Sequence, residues 1–273
     1  MDETHEQELF WAVRGGATQV GIATELEFQA TELGTVTGNA RILHQQITYV
    51  SQDLASFTSQ WGQWMREAPQ QMESFLMIQA LGDGQHAIQA RNVWAGDDVV
   101  AARPTLQAAL EIAQVYDEQT QAVSYPLIVP TPNSPHVGQQ RIVMRDVFVD
   151  RADEQLGAAL TESLRQRGTL LGELRGLGGA LAEVSSDATA WGNRHQEVLA
   201  GTWIHPLSLA EQDASFAAIG TLGTGAYGAY SSDTRSEAAA LAWPGNTGRK
   251  LSNIAERVDP QLLFDRGLTL RRP

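Results

Sequence analysis

The fold is decided by residues 74–94, whose sequence is SFLMIQALGDGQHAIQARNVW. Two largely apolar runs, Ser74 to Leu81 and His86 to Trp94, flank the cluster Gly82-Asp83-Gly84. Because glycine and aspartate accept the backbone angles of a tight reversal, this pattern predicts an antiparallel hairpin. A hairpin joins neighbouring strands without a helical crossover, which favours an antiparallel sheet.

Upstream of the hairpin, the sequence predicts an amphipathic helix. Apolar residues recur there at steps of three and four until Pro69 stops the pattern, at Ile47, Val50, Leu54, Phe57, Trp61, Trp64 and Met65. Two strands are predicted further upstream, from Val20 to Ala30 and from Thr35 to Leu43, with Gly34 and Gly38 as breaks.

The alternation of strands and helices continues downstream. Asp97 and Asp98 are placed to cap a helical stretch that is interrupted near Pro104, and prolines break regular structure between Pro126 and Gly138. Further strands are predicted at Arg141 to Val149, Thr169 to Leu174 and Glu197 to Ile204, and helices at Arg151 to Gln166, Ser208 to Leu222 and Gly248 to Arg257. This pattern indicates an α+β fold, an antiparallel sheet with helices covering one face.

Composition excludes several classes of function. The 273 residues carry 19 Lys+Arg against 32 Asp+Glu, a net charge of −13, which disfavours nucleic acid and anionic membranes as partners. The absence of cysteine excludes disulfides, a thiolate nucleophile and Cys-ligated metal. No apolar run is long enough to span a membrane, and the acidic start MDETHEQE is unlike a signal peptide, so we expect a cytoplasmic protein.

Common catalytic and metal motifs are also missing. The six histidines include no pair at helical metal-site spacing, and no HExxH, G-x-S-x-G or Walker motif occurs, so we expect no metal. Glu25 and Glu27 share one side of the predicted strand, where a solvent face is favoured over a pair of carboxylates in a cleft.

Four glycine- and aromatic-rich stretches carry the remaining information. They are LFWAVRGGATQVGIAT at 9–24; LGGA at 177–180 with DATAW at 187–191 and Arg194; GAYGAY at 225–230; and WPGN at 243–246, followed by VDP at 258–260 and LF at 263–264. Paired glycines let a backbone approach a flat or phosphorylated ligand closely, although the glycine spacing alone favours a tight turn.

In this order along the chain, the four stretches resemble the C-terminal half of FAD-linked oxidases of the berberine-bridge-enzyme type, in the vanillyl-alcohol-oxidase superfamily. The resemblance covers essentially the whole chain and implies three parts. These are a remnant of the FAD-binding domain at 1–33, a substrate-binding α+β domain at 34–225, and an active-site strand with a C-terminal segment at 226–273.

The resemblance also implies site residues. Tyr230 matches the tyrosine that acts as catalytic base in many members, and Tyr227 with Tyr230 would contact substrate. Cofactor-binding positions that keep the pattern are Gly15, Gly16, Gly21, Ile22 and Thr24. A phenol serves as a base only where its phenolate is stabilised nearby.

Several positions depart from the family pattern. Ala17 and Thr18 replace glycines, Gln19 replaces an asparagine, and Ala229 replaces the asparagine between the two tyrosines. The family's N-terminal flavin domain has no counterpart here. We therefore expect this chain alone to bind FAD weakly or not at all.

Three hypotheses follow. The chain is the substrate-domain portion of an FAD-linked oxidoreductase acting on a small organic molecule, truncated or completed by a separate flavin-binding chain. Alternatively, it is a cofactor-free cyclase or isomerase on a fold derived from such oxidases, or a non-catalytic binding module. In each case we expect a homodimer or hetero-complex formed through the face that the flavin domain would cover.

Overall fold

A computed structural model describes residues 1–16, 19–29, 33, 41–129, 141–265 and 267–271. The strands are β1 (Ile42–Ser51), β2 (Met72–Gly82), β3 (Gln85–Trp94), β4 (Gln114–Val123), β5 (Val143–Val149), β6 (Thr169–Gly176) and β7 (Val198–Ile204). The helices are α1 (Gln7–Val13), α2 (Leu54–Glu67), α3 (Val99–Ala109), α4 (Glu154–Arg165), α5 (Leu209–Gly220), α6 (Ser236–Ala242) and α7 (Gly245–Val258).

The seven strands form one sheet in the order β4-β1-β3-β2-β6-β7-β5, and every neighbouring pair is antiparallel. The predicted hairpin is β2–β3, in which Ile78 pairs with Ile88. Its turn places Asp83 at φ 50° between two glycines that also have positive φ. The predicted α+β fold class is confirmed.

Helices α2 to α5 cover one face of the sheet and form the main core with it. Large side chains that are almost completely buried fill this core, among them Tyr49, Phe57 and Trp61. Helices α2 and α4 approach so closely that a Cβ at Gly62 would lie 2.1 Å from the Ala152 carbonyl oxygen. On α4, a Cβ at Gly157 would lie 2.1 Å from the Leu54 carbonyl oxygen. Glycine at both positions therefore permits the helix crossing.

A second cluster of buried side chains joins α1, α6 and α7. More than half of its members are alanines, namely Ala12, Ala190, Ala226, Ala238, Ala239, Ala242 and Ala255. Hydrogen bonds tie distant parts of the chain together here: the indole of Trp243 donates to the Gly15 carbonyl at 3.0 Å, and Leu270 N–H donates to the Gln19 side chain at 2.8 Å. The two ends of the chain thus meet in one small unit.

Most predicted elements downstream of residue 53 are confirmed within one to five residues. Asp53 and Asp98 cap α2 and α3 through backbone N–H groups, as acidic caps do. Helix α3 continues through Pro104.

The predictions upstream of residue 53 are largely wrong. Ile47 and Val50 belong to β1, because the helix begins only after the Asp53 cap. The described residues from Val20 to Gln29 form no strand and are mostly exposed, since no neighbouring strand pairs with them. Of the strand predicted at Thr35 to Leu43, residues 35–40 lie outside the described residues, and Ile42 and Leu43 open β1.

Three elements have no counterpart in the sequence prediction. Strand β4 is an edge strand with almost entirely exposed side chains, so it shows no apolar alternation. Helices α1 and α6 have only seven residues each, which is too short for a clear periodic pattern.

Candidate functional site

The candidate site lies on the face of the sheet opposite α2 to α5, called here the open face. Side chains alternate along a strand, so the residues between core positions point to this face. On β6, Leu174 is in the main core, whereas Glu173 and Arg175 belong to the open face. By the same alternation, Phe75 of β2, Trp203 of β7 and Asp146 of β5 share it.

An ion pair on β6 forms the centre of the site. Arg175 Nε donates to Glu173 Oε1 at 2.5 Å, and Trp203 Nε1 donates to Glu173 Oε2 at 2.8 Å. Both carboxylate oxygens of Glu173, which is 2% exposed, therefore have a partner. This arrangement fixes the Arg175 guanidinium above the sheet.

Arg175 connects this pair to Tyr230. Its Nη2 donates to the Tyr230 hydroxyl oxygen, and its guanidinium carbon lies 4.6 Å from the Tyr230 ring centroid and 4.8 Å from that of Phe75. Burial, with a smaller contribution from the Glu173 charge, raises the pKa of Tyr230, while Arg175 opposes that rise. Tyr230 is therefore a neutral phenol at rest, with a cation in place to stabilise its phenolate.

Tyr230 sits in a turn, and the predicted active-site strand is wrong in this respect. Tyr230 N–H donates to the Tyr227 carbonyl at 2.8 Å, which closes the turn and stacks the two rings with centroids 5.8 Å apart. The Tyr227 ring also lies 6.2 Å from that of Trp191. The segment is fixed to β5 by a hydrogen bond of 2.8 Å from Ser232 N–H to the Met144 carbonyl.

Asp146 is the second acidic group of the site. It is 5% exposed; its Oδ1 accepts a hydrogen bond from Tyr227 N–H at 2.5 Å, and its Oδ2 has no partner. Burial, together with repulsion from Glu173, raises the pKa of Asp146 to about 7. Asp146 and Glu173 both pair with Gly201 of β7, from opposite sides, so no side chain stands between them on that strand.

The first of two cavities on the open face, called the Arg194 cavity, has a volume of about 420 Å³. Its walls combine three arginines with apolar and aromatic side chains: Arg14, Gly15, Phe148, Arg175, Leu177, Thr189, Trp191, Arg194, Leu199 and Tyr227. A volume of this size suits a small organic molecule. Tyr227 and Arg175 line this cavity and both contact Tyr230, so the cavity lies beside Tyr230.

The second cavity, called the Arg91 cavity, lies over the other half of the open face and has a volume of about 660 Å³. Its lining is more polar and includes His44, Glu73, Phe75, Arg91 and Arg175. Burial and the nearby Arg91 charge lower the pKa of His44, so this imidazole is neutral near pH 7. Arg175 lines both cavities and thus stands at the boundary between them.

The predicted cofactor-binding residues fall into two groups. A Cβ at Gly15 would lie 2.5 Å from the Trp191 backbone nitrogen, and a Cβ at Gly16 would lie 2.5 Å from Leu251 Cδ1. Packing inside the chain therefore accounts for both glycines. Gly21 has no heavy atom within 4 Å of its Cβ position.

The other two predicted positions, Ile22 and Thr24, are exposed in the irregular stretch that follows Gly21. A dinucleotide requires an extended cleft with convergent donors. Gly15 lines the Arg194 cavity, whereas Ile22 and Thr24 are exposed, and the role of all five positions in FAD binding stays a prediction.

Sequence reasoning missed Glu173, Arg175 and Asp146. The spacing of Glu173 and Arg175 was a usable signal, because charges at every second position of a strand share a face, but the predicted strand ended at Leu174, one residue before Arg175. Asp146 gave no such signal, since its charged neighbour Arg145 is adjacent in the strand and so lies on the opposite face.

Two searches of the described residues found nothing further. They contain no group of three or more His, Asp or Glu residues placed to hold a metal ion. In the same part of the chain, no helix is long and apolar enough to cross a membrane.

Comparison with known proteins identifies the fold. No protein-family profile matches the chain, and no curated protein sequence does either. Among solved structures, glucooligosaccharide oxidase from Acremonium strictum, described with a cysteinyl, histidyl-linked FAD, is 20% identical with a TM-score of 0.75, covering 99% of this chain and 62% of that one.

Two further structures are similar to the same extent. 6-Hydroxy-D-nicotine oxidase from Arthrobacter nicotinovorans is 16% identical with a TM-score of 0.75, and the alignment covers 99% of this chain and 62% of that one. Berberine bridge enzyme in complex with (S)-reticuline is 14% identical with a TM-score of 0.75 and the same coverage. The resemblance drawn from the motifs is thus confirmed at the level of the fold, and this chain spans about 62% of the length of these oxidases.

Proposed function

We propose that this chain is the substrate-binding half of an FAD-linked oxidoreductase that acts on a small organic molecule, with the flavin held by a domain outside this sequence, either in a longer form of this protein or on a separate chain. The observation that supports this proposal best is the pairing of Tyr230 with Arg175 beside a cavity of about 420 Å³. The fold shared with glucooligosaccharide oxidase, which is described with bound FAD, supports the same interpretation.

The residues of this chain account for the handling of a proton. When an alcohol or amine is oxidised, its O–H or N–H proton must leave. Because Tyr230 is a neutral phenol at rest, it must release its own proton before it can accept that of the substrate, and the adjacent Arg175 cation stabilises the phenolate that results. Glu173 holds the guanidinium in place through Nε, which leaves Nη2 for the tyrosine.

A flavin, when bound, would accept the hydride, and Tyr230 and Arg175 account for the proton alone. The exposed segment that contains Gly21, Ile22 and Thr24 is the part of this chain that a flavin-binding partner would cover.

Turnover tests the proposal. The purified protein, alone and mixed with the product of any neighbouring reading frame that carries an R-x-x-G-H-S flavin loop, is supplied with small alcohols and amines while oxygen consumption is recorded. We expect FAD-dependent consumption from the mixture. Flavin absorbance of the protein alone, with and without added FAD, is expected to show weak binding or none.

Tyr230→Phe tests the assigned residue. The loss of a proton-transfer group lowers turnover about 10²–10⁴-fold, whereas the ring stacking survives. Tyr116→Phe, at an exposed tyrosine of β4 that lines neither cavity, is the matched control. Unchanged turnover by Tyr230→Phe would remove this residue from the mechanism.

A cofactor-free isomerase or cyclase is the second candidate, and two pKa values favour it. The raised pKa of Tyr230 suits a proton donor, and a pKa of about 7 lets Asp146 accept or release a proton near neutrality. Products of unchanged mass, formed without FAD or oxygen, would support this candidate. Binding without any product would support a non-catalytic module.

A further inference from the structure

The Arg194 cavity contains two positive charges that the described residues do not neutralise. None of its lining residues is acidic. Arg175 is paired with Glu173, whereas no ion pair with a described carboxylate is found for Arg14 or Arg194. This is unusual in a protein whose net charge is −13.

Arg194 is the more constrained of the two. It is 7% exposed, its Nη2 donates to Thr189 Oγ1 at 2.8 Å, and its buried Nε has no hydrogen-bond partner. Its guanidinium carbon lies 4.9 Å from the Trp191 ring centroid. A buried charged donor without a partner is costly, and an anion at this position would supply the missing acceptor.

Arg14 reinforces this charge from the rim. It is exposed and lines the cavity, its Nε donates to the Phe10 carbonyl at 3.2 Å, and its guanidinium carbon lies 4.1 Å from the Phe10 ring centroid. Burial and repulsion from Arg14 lower the pKa of Arg194. Two like charges held near each other attract an anion more strongly than either does alone.

The other walls limit the kind of anion. Trp191, Phe148, Leu177, Leu199 and Tyr227 offer aromatic and aliphatic surface. Inorganic ions would leave that surface uncovered, whereas an organic acid with an apolar body would contact it.

We propose that the Arg194 cavity binds a small organic carboxylate, with the carboxylate between Arg14 and Arg194 and its apolar body against Trp191 and Tyr227. The proposal concerns binding alone, and it holds whether or not the chain takes part in an oxidation. A substrate held in this way would extend toward Arg175 and Tyr230, since Arg175 lines the same cavity.

Calorimetric titration without flavin provides the test. The probe is 3-phenylpropanoate, and 3-phenylpropanamide serves as its neutral counterpart. We expect the acid to bind at least tenfold more tightly than the amide, and its affinity to fall as sodium chloride is raised from 50 to 500 mM.

Variants locate the site. Arg14→Gln, at an exposed position, is expected to weaken the acid about tenfold and leave the amide unchanged. Arg194→Gln is expected to weaken it at least as much, with Arg194→Lys partly restoring binding. Arg103→Gln on α3, on the opposite side of the sheet, is the matched control and is expected to bind like the unaltered protein.

The outcomes separate this proposal from the proposed function. Equal affinity for acid and amide, or an unchanged affinity in Arg14→Gln, overturns the carboxylate site. If the acid binds as expected while no mixture consumes oxygen, the site stands and the oxidoreductase function fails. If oxygen is consumed only with neutral substrates and the acid does not bind, the oxidoreductase function stands and the carboxylate site fails.

Discussion

The main core and the second cluster differ in the size of their buried side chains. The main core joins one sheet to four helices with large side chains such as Phe57 and Trp61. The second cluster joins three helices largely through alanines, and its members come from opposite ends of the sequence. Because an alanine buries little apolar area, each contact in the second cluster contributes less to stability. The difference predicts a robust scaffold and a more easily opened unit beside the candidate site.

The largest expected effect comes from breaking the main core at its helix crossing. Gly62→Ala would place a methyl group 2.1 Å from the Ala152 carbonyl oxygen, so α2 and α4 must separate. We expect a loss of about 3 kcal/mol in the free energy of unfolding, measured by urea denaturation.

Gln63→Ala, on the exposed side of the same helix, is the control for that change and is expected to cost less than about 0.5 kcal/mol. If Gly62→Ala were as stable as this control, the close approach of the two helices would be wrong.

A cavity in the second cluster should act locally. Leu251 is fully buried and packs against Gly16, so Leu251→Ala removes a contact between α7 and the N-terminal segment. We expect a loss of about 2 kcal/mol, confined to α1, α6 and α7. Hydrogen exchange measures this directly: amides of these helices exchange faster, and those of β1 to β3 do not change.

Asn253→Ala on the exposed side of α7 is the comparison variant. Faster exchange throughout the sheet in Leu251→Ala would mean that the two clusters unfold as one unit, and the contrast drawn between them would fail.

Asp146 links the two clusters, because this β5 carboxylate accepts a hydrogen bond from the Tyr227 segment. Its pKa is raised to about 7, so the folded state holds a proton that the unfolded chain has released above about pH 4. Stability from this group is therefore greatest at low pH and falls as the pH rises from about 4 to 7. Asp146→Asn should flatten that slope, which for one proton is at most about 1.4 kcal/mol for each pH unit.

Urea unfolding at a series of pH values detects this change, and for each pH unit it is the smallest of the three effects on stability. Asp117→Asn, at an exposed acid on β4, should leave the slope as it is. An identical slope in Asp146→Asn and the unaltered protein would show that Asp146 is not the group responsible.

Prediction from sequence succeeded where local signals and tertiary structure agree. The hairpin β2–β3 has its own turn residues, and helix α2 has its own cap and apolar stripe. Prediction failed where a neighbour decides the structure. Ile47 fits a helical stripe by spacing, yet it pairs with Ala90 across the sheet. The sequence of β4 has no strand pattern, because this edge strand is exposed and is held in place by its pairing with β1.

The candidate site shows the same division. Motif order pointed to Tyr230 and Tyr227. In the structure Tyr227 lines the Arg194 cavity and Tyr230 contacts Arg175, while the catalytic and substrate-binding roles of the two tyrosines stay predictions. Sequence alone did not identify Arg175, because its meaning depends on a turn that lies 55 residues away along the chain. Gly15 and Gly16 pack against Trp191 and Leu251, which gives a structural reason for glycine at both positions, and Gly15 also lines the Arg194 cavity, so their predicted contact with a cofactor stays a prediction. The roles of Gly21, Ile22 and Thr24 stay predictions.

The irregular, mostly exposed stretch from Gly21 to Gln29 is a point at which the chain could be cut and the N-terminal peptide added back separately. Helix α1 precedes this stretch but is held by distant residues: Trp11 donates to the Asp187 carbonyl at 2.7 Å, and Glu8 pairs with Arg257 at 2.7 Å. A protease that cut after Phe28 would sever the covalent link while leaving these contacts intact. The first 28 residues would then behave as a detachable ligand of the remaining chain, and a synthetic copy could restore a truncated protein.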